Sequence, residues 1–423
     1  MDKNERIVIV GAGAFGLSTA LTLVQQGYNS VTVLDRSMPP VPDGSSDPVY
    51  ARIAKEAYDL WKTPEYQDAF HSTPCQWVCQ DSTPEQPVQP RAVEYIAKTK
   101  RILTDMGQDM VAVRSTREAK QHFPRLMGKM ADRGFGGFYN TQLMSRCASV
   151  GLSLVTGPSG QVEEFEKAID GTITAVCTKS GNKIQGDRFI VATGAWTASL
   201  VPARNSMLAA AQVVGYLQLT PEEVAQLKDL PIYFNFSTGF FCFPAHESTG
   251  YLKVAIHGFG YTSTSPSSVF APPSSAVATR ANFVPADGVQ RLVAGLKDFL
   301  PHFAPRGFER VGLCWYNDTP TGDFIMDYQP EPKNLFIATG GSGHGFKFLP
   351  VIGNYIVGSR QRSLPQDLLD KWTFPVQFRE RFQGDAFMGD GSRGGPERRE
   401  LRTSERDAFN AALTASSWQP SKI

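Results

Sequence analysis

The chain has 423 residues, a length for two or three domains' worth of core, with 41% apolar and 20% charged residues, as in ordinary soluble globular proteins. Lysine plus arginine number 42 against 41 aspartate plus glutamate, so nothing marks a binder of nucleic acid or another polyanion. No apolar run approaches the roughly 18 residues that span a bilayer, and the charged opening Met1-Asp2-Lys3-Asn4-Glu5-Arg6 leaves no room for a signal peptide.

In chain order, the first element is also the most informative. The apolar run Ile7-Val8-Ile9-Val10 leads into Gly11-Ala12-Gly13-Ala14-Phe15-Gly16, a helical pattern follows, and Val31-Thr32-Val33-Leu34 ends on Asp35. A lone GxGxxG means little. Between a strand-like and a helix-like run, with an acid nineteen residues after Gly16, it is the fingerprint of an adenine dinucleotide site. Gly11 permits the tight turn, Gly13 lets a pyrophosphate approach the backbone, and Gly16 lets helix and strand pack closely. The phosphates would meet the helix N-terminus, where free N–H groups and the dipole favour anions. Asp35 is positioned for ribose hydroxyls. The alternative is an ordinary βαβ unit with a glycine-rich turn.

A proline-rich turn, Met38–Gly44, precedes a helical pattern over Val49–Trp61. Thr63–Pro90 reads as irregular, Ala92–Met106 as helix, and Val111-Ala112-Val113 with Ser115 and Glu118 as a strand entering a capped helix. Thr172–Cys177 and Lys183–Val191 read as paired strands about the turn Ser180-Gly181-Asn182. The second runs into the small residues Ala192-Thr193-Gly194-Ala195 and Trp196. Residues 210–262 are strand-rich, and Leu335–Thr339 is a buried strand entering Gly340-Gly341-Ser342-Gly343-His344-Gly345 and a helix. From about Asp385 the chain is rich in Gly, Arg and Glu, and a poorly ordered tail is expected over 385–423.

Three strand-to-glycine loops, at Gly11, Gly194 and Gly340, thus lie far apart in sequence. In a parallel sheet such loops gather at the carboxyl ends of the strands, where ligands bind. The fold class expected is α/β: a Rossmann-like domain assembled from residues 1–70, 150–200 and 310–370, with a second, mostly antiparallel substrate domain from 71–149 and 201–309. The six cysteines (Cys75, Cys79, Cys147, Cys177, Cys242, Cys314) are scattered, suggest neither disulfide framework nor metal site, and read as reduced intracellular thiols. The last three residues, Ser421-Lys422-Ile423, differ by one from the peroxisomal Ser-Lys-Leu signal, which leaves a peroxisomal or a cytoplasmic address.

These residues resemble the flavin-dependent D-amino-acid-oxidase superfamily, and within it the branch of monomeric sarcosine oxidase, pipecolate and saccharopine oxidases and fructosyl-amino-acid oxidases. The resemblance covers the N-terminal fingerprint, the Ala192–Trp196 loop, residues 207–262 and, most distinctively, 309–355. There Ser342-Gly343-His344-Gly345-Phe346-Lys347-Phe348 follows Cys314 and Asp318-Thr319-Pro320. It implies FAD as cofactor, held by Gly11, Gly13, Gly16, Asp35, Arg36, Gly194, Trp196 and the loop residues Gly341, Gly343, His344 and Gly345. It implies a thioether from Cys314 to the flavin ring; the alternative is a buried structural cysteine. Lys347 would bind the substrate carboxylate beside the flavin, or else snorkel to the surface. Lys253 would activate oxygen, with His257 four residues on along the same strand face. By residue type alone both are ordinary strand-surface groups. The reaction implied is hydride transfer from a secondary amine or N-substituted amino acid to the flavin, then reoxidation by O2 to hydrogen peroxide, in a monomer that binds neither nucleic acid nor metal. A biosynthetic oxidase of a specialised metabolite and a flavin-binding protein without catalysis are the alternatives.

The chain departs from that resemblance twice. The family carries an Arg-Ile-Ile-Arg-type segment soon after a Gly-Ser-Ser like Gly44-Ser45-Ser46, whereas here Ser46 runs directly into Asp47-Pro48-Val49-Tyr50. Arg52 lies inside the following helix pattern and does not inherit the role. A second shortening follows Tyr139-Asn140. Either the chain is naturally short or its coding sequence is misread, and a transcript across 44–50 decides.

Overall fold

A computed structural model describes residues 2–36, 47–64, 75–80, 90–107, 110–113, 115–122, 135–140, 154–155, 157–202, 206–245, 249–263, 272, 281–330, 332–374 and 391–415. The expected turn at 38–44, both shortenings (after Ser46 and Asn140), Cys147 and the terminal Ser-Lys-Ile lie outside them.

Two large sheets organise the molecule. The first has six strands in the order Ile325–Tyr328, Leu335–Thr339, Arg188–Val191, Ile7–Val10, Val31–Leu34 and Leu154–Val155. All pairs are parallel except Ile325–Tyr328 with Leu335–Thr339. The apolar runs without alternation are explained by cover on both faces. Ile7 and Ile9 pack toward the helices Ala14–Gln25, Pro48–Trp61 and Leu349–Arg360. Val8 and Val10 pack toward a small antiparallel sheet of Val162–Lys167, Ile173–Thr178 and Lys183–Gln185. Each such burial of a valine or isoleucine is worth about 1.5–3 kcal/mol. The run expected as one strand over 183–191 is split. Lys183–Gln185 stays in the small sheet, and after Gly186 and Asp187 the chain resumes as Arg188–Val191 beside Ile7–Val10.

The second sheet has ten strands and is mostly antiparallel. Its order is Arg399–Glu400, Tyr261–Thr262, Leu208–Gln218, Tyr251–Ile256, Phe240–Cys242, Ile232–Asn235, Cys75–Gln80, Phe135–Asn140 and Met110–Val113, with Arg310–Asp318 also paired to Leu208–Gln218. One face carries Val213, Leu217, Leu252, Val254, Ile256, Leu313 and Trp315, with the helix Ala286–Phe299 against it. The opposite face is aromatic: Tyr216, Phe234, Phe241 and Phe243 lie with Cys314, Trp77 and Tyr95.

Three expectations are corrected. Cys75–Gln80 is a strand inside the stretch read as irregular. Arg310–Asp318, assigned by sequence to the nucleotide domain, runs in the ten-stranded sheet because its alternating residues fit between that sheet's two faces. The segment read as a poorly ordered tail holds a strand and the helix Thr403–Ala415 within 391–415, with Leu401 and Phe409 buried in the larger sheet's core. No helix among the described residues is long and apolar enough to cross a membrane.

Candidate active site between the two sheets

The carboxyl ends of Ile7–Val10, Arg188–Val191 and Leu335–Thr339 lie side by side, so the loops at Gly11, Gly194 and Gly340 share one edge of the six-stranded sheet. Gly11 has φ +109°, and a Cβ there would overlap the carbonyl of Ala192 on the neighbouring loop. A Cβ at Gly16 would overlap the carbonyl of Gly11. At Gly13, by contrast, a Cβ would meet nothing within 4 Å. Two of the three glycines are therefore demanded by packing, and the third opens onto space at the start of the helix Ala14–Gln25, whose first turn has no side-chain cap. That is a cradle of free N–H groups at a helix N-terminus, which fits the diphosphate of a dinucleotide. Asp35 Oδ2 accepts a hydrogen bond from Ala12 N at 2.6 Å, which holds the carboxylate beside that turn. The Arg36 guanidinium stacks over Trp196 at 3.9 Å from the ring centroid, joining the second strand's end to the Gly194 loop.

Buried hydroxyls tie the loops together. Thr193 Oγ1 lies 3.2 Å from Thr197 Oγ1, which lies 3.1 Å from Thr339 Oγ1; that hydroxyl donates to Asn317 Oδ1 at 2.9 Å. Asn317 Oδ1 also accepts from Gly340 N at 2.8 Å. Asn317 is the penultimate residue of the strand Arg310–Asp318, so one side chain of the ten-stranded sheet fixes the loop of the six-stranded one. Ser342 in that loop has φ +46°, a conformation costly for a residue with a side chain. It is held on every side: its N donates to Asn317 O at 3.0 Å, its Oγ accepts from Thr319 N at 3.2 Å, and its carbonyl accepts from Arg393 Nη2 at 2.9 Å. The loop is a rigid, strained feature, as expected where backbone N–H groups must point at a ligand.

Facing it is the aromatic side of the larger sheet. Strand alternation sends Leu252, Val254 and Ile256 into the core and Lys253, Ala255 and His257 to the other side. On Arg310–Asp318 the same alternation sends Leu313 and Trp315 inward and Cys314 to the Lys253 side. Burial pushes the Cys314 thiol up, and the nearby Lys253 ammonium opposes that. Burial also pushes Tyr216, on the same face, up to about 12. Lys253 Nζ sits 5.4 Å from the Phe243 ring centroid. His257 is buried, with Nε2 2.7 Å from Ser392 Oγ and Nδ1 3.5 Å from the Tyr316 hydroxyl.

Lys347 is buried in the short 3-10 turn Phe346–Phe348, its Nζ 4.7 Å from the Phe348 ring centroid, and its carbonyl accepts from Trp61 Nε1 at 3.0 Å. His344 is drawn into an aromatic cluster, stacked on Phe324 at 5.0 Å and edge-on to Tyr50 at 4.8 Å, with Nε2 2.8 Å from Gly322 O. Tyr50 itself accepts from Phe324 N and Trp372 Nε1, so the helix Pro48–Trp61 supports the loop from below. Asp47 caps that helix, its Oδ1 accepting from Val49 N at 2.8 Å, and Arg52 lies exposed on it.

Sequence reasoning missed Asn317, Ser392 and Arg393, and gave the Ser342 side chain of the loop motif no role. Ser392 and Arg393 lie in the segment read as a tail, where nothing local in sequence signals burial. Among the described residues no cluster of three His, Cys, Asp or Glu side chains is arranged to hold a metal ion.

A Rossmann-like sheet with a glycine cradle at one edge, tied through Asn317 to a mostly antiparallel sheet, is the architecture of a dinucleotide-dependent enzyme. The chain belongs to the DAO family of FAD dependent oxidoreductases, whose family model matches residues 6–358. It is 28% identical over 420 residues to L-saccharopine oxidase of Schizosaccharomyces pombe, covering 89% of this chain and 94% of that protein. It is 24% identical to human peroxisomal sarcosine oxidase over 82% of this chain and 90% of that one. The crystal structure of fructosamine oxidase (Amadoriase II) of Aspergillus fumigatus in complex with FSA superposes with TM-score 0.80 at 25% identity, over 94% of this chain and 96% of that one.

Proposed function

We propose that this chain is an FAD-dependent oxidase of secondary amines or N-substituted amino acids, of the sarcosine, pipecolate, saccharopine or fructosyl-amino-acid type. Flavin supplies two-electron acceptance at N5 and reoxidation by O2. The products are an imine, which water hydrolyses, and hydrogen peroxide. The observation that carries the reading is the shared face of Cys314 and Lys253, opposite a glycine cradle and a strained loop in a chain of this family.

On this reading, each residue has a physical task. The backbone donors around Gly341–Gly345 would favour negative charge on a flavin bound beside them. Lys253 presents a fixed positive charge where dioxygen takes up electrons. Lys347 offers its ammonium to a substrate carboxylate. His257 lies on the same face as Lys253, and the substrate amine reacts in its neutral form. Cys314 would anchor the ring through a thioether, which removes the entropy of cofactor release. The substrate is small and the partner is O2, in a monomer with a peroxisomal or cytoplasmic address.

The experiment is anaerobic mixing with sarcosine, L-pipecolate, L-saccharopine and a fructosyl amino acid. Bleaching of the flavin by one of them, followed by peroxide on admission of air, is the expected outcome. The absence of an arginine segment after Ser46, with Arg52 exposed on its helix, favours a second reading: a flavin-binding protein without turnover. Flavin that none of the four amines bleaches would select it.

A further inference from the structure

We propose that Ser392 is a positioning residue of the active site, whose hydroxyl fixes the ring of His257 on the sheet face that carries Lys253 and Cys314. What His257 acts on rests on the oxidase reading above; the contact itself does not.

His257 follows directly on the strand Tyr251–Ile256 and points to the Lys253 side. Its ring is approached at both nitrogens. The Ser392 hydroxyl, 2.7 Å from Nε2, is the short contact, and the Tyr316 hydroxyl, 3.5 Å from Nδ1, is the long one. The Phe234 ring packs edge-on against the imidazole at 5.6 Å. Ser392 is no loose surface hydroxyl. It is buried, and the backbone around it is clamped: Gly394 N donates to His257 O at 3.1 Å, while His257 N donates to Gly239 O at 2.7 Å. The next side chain, Arg393, donates to Asp318 Oδ1 at 2.6 Å and to Ser342 O at 2.9 Å. The segment 392–394 therefore strings His257, the end of the Cys314 strand and the strained loop together.

A hydroxyl both donates and accepts, so the Ser392 contact is made whichever ring nitrogen carries the proton. The short contact thus fixes the rotation of the ring. The longer Tyr316 contact is too weak to do so alone. Without the Ser392 hydroxyl, the ring keeps its backbone position and loses its fixed rotation.

The test uses holoenzyme labelled with ¹⁵N at histidine, with the His257 signals assigned through H257Q. Wild type should show one set of His257 ring signals. S392A should shift or split them, and S392T, which keeps the hydroxyl, should restore the wild-type pattern. With whichever of sarcosine, L-pipecolate, L-saccharopine or fructosyl-glycine bleaches the flavin, S392A should lose roughly tenfold in kcat/KM, the effect of one hydrogen bond, and S392T should regain most of it. Unchanged His257 shifts in S392A would overturn the proposal, as would equal losses in S392A and S392T. If none of the four bleaches wild-type flavin, the oxidase reading fails while the ¹⁵N shifts still decide the role of Ser392.

Discussion

Arg393 and Asp318 form a buried ion pair, Nη2 to Oδ1 at 2.6 Å with both side chains 3% exposed, where the C-terminal segment meets the strand that carries Cys314. Removing one partner of such a pair strands the other charge away from water, which costs about 3–5 kcal/mol. D318N, which removes the carboxylate from both Arg393 and Arg398, should lower stability by about that much in chemical denaturation, R393M by less because Arg398 Nη2 still lies 3.8 Å from Asp318 Oδ2, and the double variant by less than the sum. Singles that cost under about 1 kcal/mol and add without coupling would show that the pair does not hold the segment in place.

The glycine loop predicts two distinct failures. G13A adds a methyl where nothing lies within 4 Å, so the protein should fold with ordinary thermal stability yet bind FAD far more weakly. G16A drives a methyl into the Gly11 carbonyl and should cost the fold itself. Circular dichroism and flavin titration separate the two. A G13A protein with undiminished FAD affinity would contradict the cradle.

Much of this arrangement is legible in sequence. The strand–glycine–helix–strand order at 7–35, the Gly194 and Gly340 loops and the alternation that pairs Lys253 with His257 all rest on short-range patterns, and the structure follows them. The C-terminal segment was not legible, because its order is non-local. Arg393 finds Asp318, Arg399 finds Asp287, and Phe409 packs 6.4 Å from Trp315, each partner more than seventy residues away. A glycine- and charge-rich composition hides such pairings. Cys75–Gln80 was missed for a similar reason: a short strand bounded by polar stretches takes its place by joining Ile232–Asn235 to Phe135–Asn140.

Arg399 links the helix Thr403–Ala415 to the rest of the sheet, donating to Glu405 at 2.8 Å and to Asp287 at 2.6 Å. The Arg399 hydrogen bond holds Glu405 below its ordinary value of 4.5. A carboxylate so depressed contributes stability that is fully present above its unfolded value and lost as pH falls through the folded one. The protection factor across 403–415, taken against the intrinsic exchange rate at each pH, should therefore fall below about pH 4.5. In R399M the protection should already be low at neutral pH and should change little on acidification. Equal acid sensitivity in both proteins would assign the effect to other groups.

Lys253 is the charge that faces the dioxygen side on the oxidase reading, and it also opposes the burial that raises the Cys314 thiol. K253M should leave amine-driven bleaching of the flavin within a few-fold of wild type while slowing reoxidation by O2 roughly hundredfold or more, the scale of losing one pre-organised charge. Stopped-flow measurement of the two half-reactions reads this directly. Equal slowing of both would make Lys253 a structural residue.

The central claim is that FAD lies along the glycine cradle with its ring reaching the face shared by Cys314 and Lys253. The distribution of flavin absorbance after acid precipitation tests it most directly. The account predicts yellow protein whose flavin stays in the pellet for wild type and moves to the supernatant for C314S. Protein that is colourless, and remains so after incubation with FAD, would contradict it.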